Sequence, residues 1–581
     1  MSLIVPIIFF SIKTMHNTML YLIKPIAALV SLAAGFSASG LYAEAWGSDP
    51  SHNMVREAKN LPAQLDDSTL IWEIDTDSKH QYPMPAIVGD KVLVGADGGG
   101  NPGVWGEVTS KGGSFTAYNL EDGSMEWRLV VLAHNAPGGY GTCGTPVVQG
   151  DRVYLMSMLD VFCLDLDGLE DGNQGMPAEE ELAFMTRRLF GWEDNPPAPT
   201  ELPDWAADII WHTPLTEFGI RVQDATSSSI IEVDGQIWVS TANEIGQRAR
   251  SWDGVKRPRL LVLDKETGKI IARDDIDVPI VFHGEWSSPS LVVDDNGQKA
   301  VVFPDGYGVL NAFAIPKPAA DGSVVKLERL WGFDMNPPEW RNLPDGREII
   351  YTGDVRLDYK YPEGYHEDSS KFYQFVEEDE IVAEGRSESY NKYMRGQIVH
   401  GRDTEIMGPS EVISMPAVAG NRIYLGLGRD RAYGLGHGIG RFVCLEVEDI
   451  HQEPRLVWED RGLGRTQSTA SIHDGLVYIA DGRGMLNCYD ADTGEVVYRE
   501  KIGDRGIKER STLVADGKVY ICDERGFMKV YKAGRDPILL GESRLKGPSA
   551  TVEAVDGLIA IATHRDLYLF GDPKAVEERV E

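Results

Sequence analysis

The sequence predicts an all-β fold, an eight-bladed β-propeller of four-stranded antiparallel sheets, and three observations predict it. A hairpin phrase recurs eight times, each copy leads into a third and a fourth strand in the same order, and compact copies repeat after about forty residues. That spacing belongs to propeller blades and not to helical solenoids, and no long amphipathic helix pattern competes with it.

The hairpin copies begin at Pro85 (PAIVGDKVLVG), Pro146 (PVVQGDRVYLM), Ser229 (SIIEVDGQIWV), Pro289, Pro416, Thr469, Ser511 and Ala550. Each is a β-branched run, a Gly/Asp/Asn turn that tolerates positive φ, and a second apolar run. Third strands such as PRLLVLDKETG and GMLNCYDADTG end in Asp-x-x-Thr-Gly or a relative of it, which places a turn before the fourth strand. Fourth strands carry Trp127, Trp211, Trp331, Trp458 and Tyr498 at matching positions, where a large ring fills the wedge between neighbouring sheets. The last unit stops at Gly571 after three strands, while Thr69–Asp75 has no hairpin of its own and carries Trp72 at the equivalent position. The propeller is therefore expected over 69–571, with that early strand completing the eighth sheet, closing the ring and removing an exposed edge.

Several stretches fall outside the repeat. Residues 168–205 mix one short helix with a Pro-rich run, and 336–412 are charged and Tyr-rich; both read as insertions, serving as lids or partner surfaces or as tolerated decoration. Residues 572–581 form a C-terminal tail. In 1–45, Lys13 and Lys24 flank apolar runs, and IAALVSLAAGF is followed by small residues and LYAEAW, the order of a secretory signal peptide cut after Ala43 or Ala45. The alternative is a retained membrane anchor, and Met15 or Met19 are alternative starts. The expected location is exported, periplasmic or extracellular.

Lys+Arg 56 against Asp+Glu 90 gives a net charge of -34, which repels phosphate backbones and anionic lipid at long range and disfavours nucleic acid as a partner. The five cysteines contain no Cys-x-x-Cys-His and no adjacent pair, against haem attachment, a zinc knuckle or a disulfide framework. Cys163, Cys444 and Cys488 share a third-strand register with Ala117, Val262, Ala312, Val530 and Leu569 and read as core residues; Cys143 lies near a strand start. The glycine-rich GLGHGIGR lacks the following helix that a nucleotide cradle needs.

In a propeller the innermost strands line a central channel, so residues just before each hairpin gather at one mouth. That set is His80, Tyr82, Tyr140, Cys143, Arg221, Asp224, His283, Glu285, Trp286, Glu411, Arg465, Gln467, Glu509, Arg510 and Lys546. Asp224, Glu285 and Glu411 offer hard oxygen ligands of the kind calcium takes, Trp286 a stacking face, and Arg221, Arg465, Gln467, Arg510 and Lys546 polar or cationic groups for a carboxylate-bearing cofactor. Mutual neutralisation of these charges is the competing reading.

Segments such as SSPSLVVDDNGQKAVVFPDGYGVLNAFAI and STASIHDGLVYIADGRGMLNCYDADTGEVVYREKIG resemble the PQQ-type (pyrroloquinoline quinone) β-propeller repeat, shared by quinoprotein alcohol dehydrogenases and the outer-membrane assembly propeller lipoprotein. The resemblance covers nearly all of Thr69 to Gly571 and implies the fold; for function it is divided, because catalytic and scaffold members share it. Against the dehydrogenases, the adjacent cysteine pair and haem domain are missing; against the lipoprotein, no cysteine precedes Cys143. The resulting expectation is an exported scaffold binding a protein partner or a small polar ligand at the channel mouth, with the insertions as partner surface. The alternatives are a PQQ- and calcium-dependent dehydrogenase of an alcohol or sugar, and a carbohydrate or envelope-polymer binder using Tyr351, Tyr359, Tyr361 and Tyr365.

Overall fold

The structure is a computed structural model of the 581 residues and describes residues 42–44, 46–47, 49–76, 84–97, 112–132, 140–142, 144–157, 159–185, 200–220, 225–226, 228–243, 257–276, 278, 285–341, 410–428, 440–503, 510–523, 525–547 and 552–580. Contacts divide the chain into Met1–Leu41, outside the described residues, and Tyr42–Glu581, whose fold follows.

The eight hairpin phrases become the first two strands of eight antiparallel sheets, each extended outward by two more strands into a blade of a propeller ring. The innermost strands are Ala86–Val88, Val147–Gln149, Ile231–Val233, Ser290–Val293, Ala417–Ala419, Ser471–His473, Leu513–Ala515 and Glu553–Val555. In the hairpin turns Asp474-Gly475 (φ 49 and 72) and Asp516-Gly517 (φ 50 and 64) both residues are left-handed, the conformation that matches a two-residue turn to strand twist. The eighth blade is composite: Leu70–Asp75 pairs with Asp566–Gly571 as its outermost strand, with Trp72 opposite Leu569.

Apolar packing divides into one main cluster at each junction between neighbouring blades, including the eighth with the first, where Trp72, Tyr118, Leu120, Leu558 and Leu567 share a core. The junctions use the predicted aromatic rings. Trp127 donates its indole N–H to the Leu166 carbonyl of the next blade (2.8 Å), Trp211 to Lys265 (3.1 Å), Trp458 to Ala491 (2.9 Å) and Trp72 to Leu120 (2.9 Å). Trp331 and Tyr498 fill the same place, their polar atoms without a hydrogen-bond partner among the described residues.

Each accepting carbonyl sits in the recurring third-to-fourth-strand turn, so that phrase serves as a dock as well as a turn. Asp490 Oδ1 accepts from Thr493 N (3.2 Å) and Oγ1 (3.1 Å), and Gly494 N donates to Asp490 O (2.9 Å). Gly494 (φ 72) lies under the Trp458 ring, where a Cβ would come within 2.6 Å of it; Gly168 (φ 61) stands equally close to Trp127. The residue opposite each docking position is small or slender (Ala117, Cys163, Val262, Ala312, Cys444, Cys488 or Val530), and a register shift follows it in every one of these blades. The bulge turns the ring toward the neighbouring sheet. The three cysteines are buried there, as their register predicts.

Two blades lack the ring, and another piece of chain replaces it. In the third, Ala272 holds the position; Val325–Lys326 pairs parallel with the fourth strand, and Leu327 joins the junction core. In the seventh, Gly541 holds it, and Leu61 and Leu65 from the N-terminal side enter that core, Leu65 N donating to Ser543 Oγ (3.0 Å).

Of the first insertion, 168–185 and 200–205 are described; the helix Ala178–Met185 lays Phe184 into the first junction. Of the second, 336–341 and 410–412 are described. Asn336 Nδ2 donates to Ser410 O (2.9 Å) and Ser410 N to Asn336 Oδ1 (2.8 Å), so the two stems stand side by side. Tyr351, Tyr359, Tyr361 and Tyr365 lie outside the described residues. The expected tail forms a helix, Pro573–Val580, that buries Val576 in the core between the eighth and first blades.

Gly494 and Gly475 share φ 72 in the sixth blade, but a Cβ at Gly475 meets nothing within 4 Å. Gly475→Ala should cost about 1–2 kcal/mol for the left-handed backbone alone. Gly494→Ala should cost distinctly more, since it also pushes on the indole, and chemical denaturation of the two variants measures the difference.

Candidate functional site at the propeller axis

An innermost strand has one sheet neighbour and turns its free edge toward the axis, leaving backbone donors and acceptors that need partners. A segment of this chain supplies them. Tyr42–Glu44 pairs antiparallel with Val147–Gln149 in the second blade. Pro50 O accepts from Leu291 N (2.7 Å) in the fourth, Ser51 O from Val418 N (2.8 Å) in the fifth, and Met54 N donates to Ala470 O (3.3 Å) beside the sixth. Val55–Arg56 then pairs parallel with Val514–Ala515 of the seventh blade, and Lys59 O accepts from Gly557 N (2.8 Å) in the eighth. The stretch 42–59 thus bonds to six of the eight blades from inside the ring, and we call it the axial arm.

Several of its side chains are engaged as well. Trp46 Nε1 donates to Thr469 Oγ1 (3.0 Å), and Met54 is fully buried against Met84, Met415 and Leu513. Asn53 brackets the sixth blade's inner strand, Nδ2 donating to Ile472 O (3.0 Å) and Oδ1 accepting from Ile472 N (2.8 Å). Arg56 crosses to the buried Glu553 (Nε 3.1 Å, Nη2 2.8 Å) and also donates to Gly47 O, folding the arm back on itself. Burial pushes the Glu553 carboxyl pKa up and the Arg56 guanidinium pulls it down, with burial the larger effect.

His52 lies 1% exposed with φ 53. Its Nδ1 is 3.0 Å from Ser290 Oγ, and that hydroxyl donates its one proton to Pro416 O (2.7 Å), so Nδ1 is the donor of a neutral imidazole. Burial lowers its pKa to about 4, opposed by Asp49.

The residues expected at the mouth are placed unevenly. Glu285, Glu411, Arg465 and Arg510 are buried ahead of the fourth, fifth, sixth and seventh blades, and Trp286 and Gln467 are half-buried beside them. Arg221, Asp224, His80, Tyr82, Cys143, His283 and Glu509 lie outside the described residues. Lys546 stands apart: it is exposed, and its Nζ pairs with Glu73 Oε1 (2.6 Å) on the outermost strand of the eighth blade.

Glu285 is held by a group the repeat did not single out. Its Oε1 lies 3.1 Å from Nε of the buried Arg259 and accepts from Gly306 N (3.2 Å); Asp305 is 4.0 Å from the same guanidinium, and Asp274 Oδ1 accepts from Arg259 N (2.6 Å) and Leu260 N (2.8 Å). Burial raises the Glu285 pKa to about 7, with Arg259 pulling it down and Asp305 pushing it up. Glu285 and Asp305 thus face the Arg259 guanidinium, while the Asp274 carboxyl is held by the backbone amides of Arg259 and Leu260. Among the described residues no group of three or more His, Cys, Asp or Glu side chains could hold a metal ion.

The arm escaped sequence reasoning because WGSDPSHNMVREA has neither the hairpin phrase nor strand alternation. Its one signal was apolar Trp46, Met54 and Leu61 spaced through polar residues ahead of the first blade.

Residues 446–534 match the family described as outer membrane protein assembly factor BamB. No curated protein gives a significant match. Solved structures to which the chain is similar include BamB from Moraxella catarrhalis (10% identity, 87% of this chain and 99% of that one, TM-score 0.47). The computationally designed Ika8 protein (10%, 87% and 100%, 0.45) and quinohemoprotein alcohol dehydrogenase from Comamonas testosteroni (9%, 93% and 82%, 0.43) are similar in the same sense. With its eight blades and their shared turn, this chain is an eight-bladed β-propeller, and its residues 446–534 are similar to that family's repeat.

Two measurements check the axial chemistry. Arg56→Met should cost about 3–5 kcal/mol by leaving Glu553 buried and unpaired, and adding Glu553→Gln should recover much of it. The unfolded His52 binds a proton below about 6.5 and the folded one only near 4, so its contribution is full above pH 6.5 and lost as pH falls toward 4. Its ceiling is about 3 kcal/mol. His52→Gln should therefore flatten the fall in melting temperature between pH 7 and 4.5; Glu285, whose raised pKa works in the opposite direction, is common to both proteins and cancels.

Proposed function

We propose that this protein is a non-catalytic binding scaffold working outside the cytoplasm, its partner surface the second insertion, 336–412. The observation that carries the reading is the axial arm. Inner edges of the ring are met by the chain's own backbone, and residues 50–59, which lie beyond the leader-like 1–45, bond to five blades.

Two of the residues expected to hold calcium or a quinone have partners within the chain. Glu285 is engaged by Arg259 and Gly306, Lys546 by Glu73, and no metal-binding carboxylate group is present among the described residues. No chemical step is derived through those cofactors. The insertion, in contrast, leaves the fifth-blade approach on two stems that hydrogen-bond to each other, so its removal should leave the ring intact. Export rests on the leader-like 1–45; among the described residues no helix is long and apolar enough to cross a membrane. An envelope setting also accords with the assembly-factor family matched by 446–534.

Two experiments test the reading. Pyrroloquinoline quinone with calcium at a hundred times a dissociation constant would stabilise a binder by about 2.7 kcal/mol; no melting shift and no dye reduction with an alcohol panel are expected, and either signal overturns the non-catalytic assignment. Replacing 342–409 by a short Gly/Ser linker should leave the melting temperature unchanged and abolish crosslinks to envelope proteins. Unchanged crosslinks would place the partner surface elsewhere.

A further inference from the structure

The arm's contacts are those of a bound peptide. Extended-peptide recognition rests on backbone hydrogen bonds to a free strand edge plus pockets or ion pairs for selected side chains, and the axis supplies both. Four amides of the ring, on Leu291, Val418, Val514 and Gly557, donate to the carbonyls of Pro50, Ser51, Met54 and Lys59 at 2.7–3.0 Å. Four side chains supply selectivity: Trp46 to Thr469, His52 to Ser290, Asn53 to both main-chain groups of Ile472, and Arg56 to Glu553. Met54 fills an apolar seat between them. The connection from arm to ring is thin by comparison, running through the exposed turn Asp66–Ser68 before the strand at Leu70.

We propose that the axis of this propeller is a peptide-binding groove whose resident ligand is the chain's own 46–59, and that recognition survives cutting the covalent link. The ligand class is an extended peptide with Trp, His-Asn-Met and Arg at the spacing Trp46, His52-Asn53-Met54, Arg56. The groove accepts this occupant because its polar atoms meet matching groups at every step. Glu553 is the strongest determinant, since a buried carboxylate demands a cation.

The test uses the full chain with a specific protease site placed in Asp66–Ser68 and cut after folding. The released arm should stay with the ring on size exclusion in native buffer, separate in denaturant, and exchange slowly with an excess of fluorescent peptide 46–62. Arms carrying Asn53→Ala or Arg56→Met should leave at least roughly tenfold faster, since each loses more than one buried hydrogen bond. An arm that elutes free as soon as it is cut, or substitutions that leave its release rate unchanged, overturns the proposal. Hydrogen exchange of the unmodified chain provides an independent reading. The amides of Leu291, Val418, Val514 and Gly557 should be as protected as those of the hairpins behind them, and fast exchange at all four would overturn it equally.

Discussion

Flat sheets arranged around an axis diverge outward, and the wedge that opens between each neighbouring pair must be filled with matter. The rest of this structure depends on how that is done. A Trp or Tyr on the outermost strand leans into the wedge, a bulge opposite a small residue turns it there, and the next blade's turn presents a glycine and a carbonyl to receive it. The docking links each blade to its successor, so the repeated phrase is both a local turn and a long-range joint. Where the ring is missing, at Ala272 and Gly541, the chain brings in Leu327 or Leu61 and Leu65. The constraint is met by different residues because the volume requires filling whatever the residue type.

The inner end of each blade poses the opposite problem, a narrow space lined by unpaired backbone. Water could satisfy those groups, and a ligand could too. This protein uses its own arm, and the buried charges near the axis divide accordingly. Arg56 meets Glu553 where the arm leaves the ring, while Arg259 gathers Glu285, Asp305 and Asp274 between the third and fourth blades. Neither cluster offers a group of three or more carboxylate, His or Cys side chains placed to hold a metal ion among the described residues.

Most of the fold was readable from the sequence, because hairpin turns and docking rings are local requirements that leave residue signatures. Asp-Gly at a two-residue turn, Thr-Gly before a fourth strand and a slender residue opposite Trp each follow from a geometry that recurs eight times. The composite eighth blade could be read by subtraction, from a terminal unit one strand short and an orphan strand carrying Trp72. The axis could not. The arm's partners lie hundreds of residues away, its hydrogen bonds are main-chain and indifferent to sequence, and a single pass through the ring leaves no period to detect. Arg259 was missed for a related reason: it precedes a third strand, off the register in which mouth residues were sought, and only folding brings it to Glu285. Lys546 shows the reverse, a residue at the right register whose long side chain reaches outward to Glu73.

The arm has a consequence for the order in which the chain takes shape. Arg56 and Glu553 are 497 residues apart, and Leu70–Asp75 must wait for Asp566–Gly571. The earliest part of the chain to be synthesised is thus among the last to find its partners, and contacts of such separation make for slow, high-contact-order assembly. Until the final blade emerges, Arg56 lacks Glu553 and Leu70–Asp75 lacks its sheet, and strand edges left open in that interval are where repeat proteins misassemble. A chaperone would act during that interval.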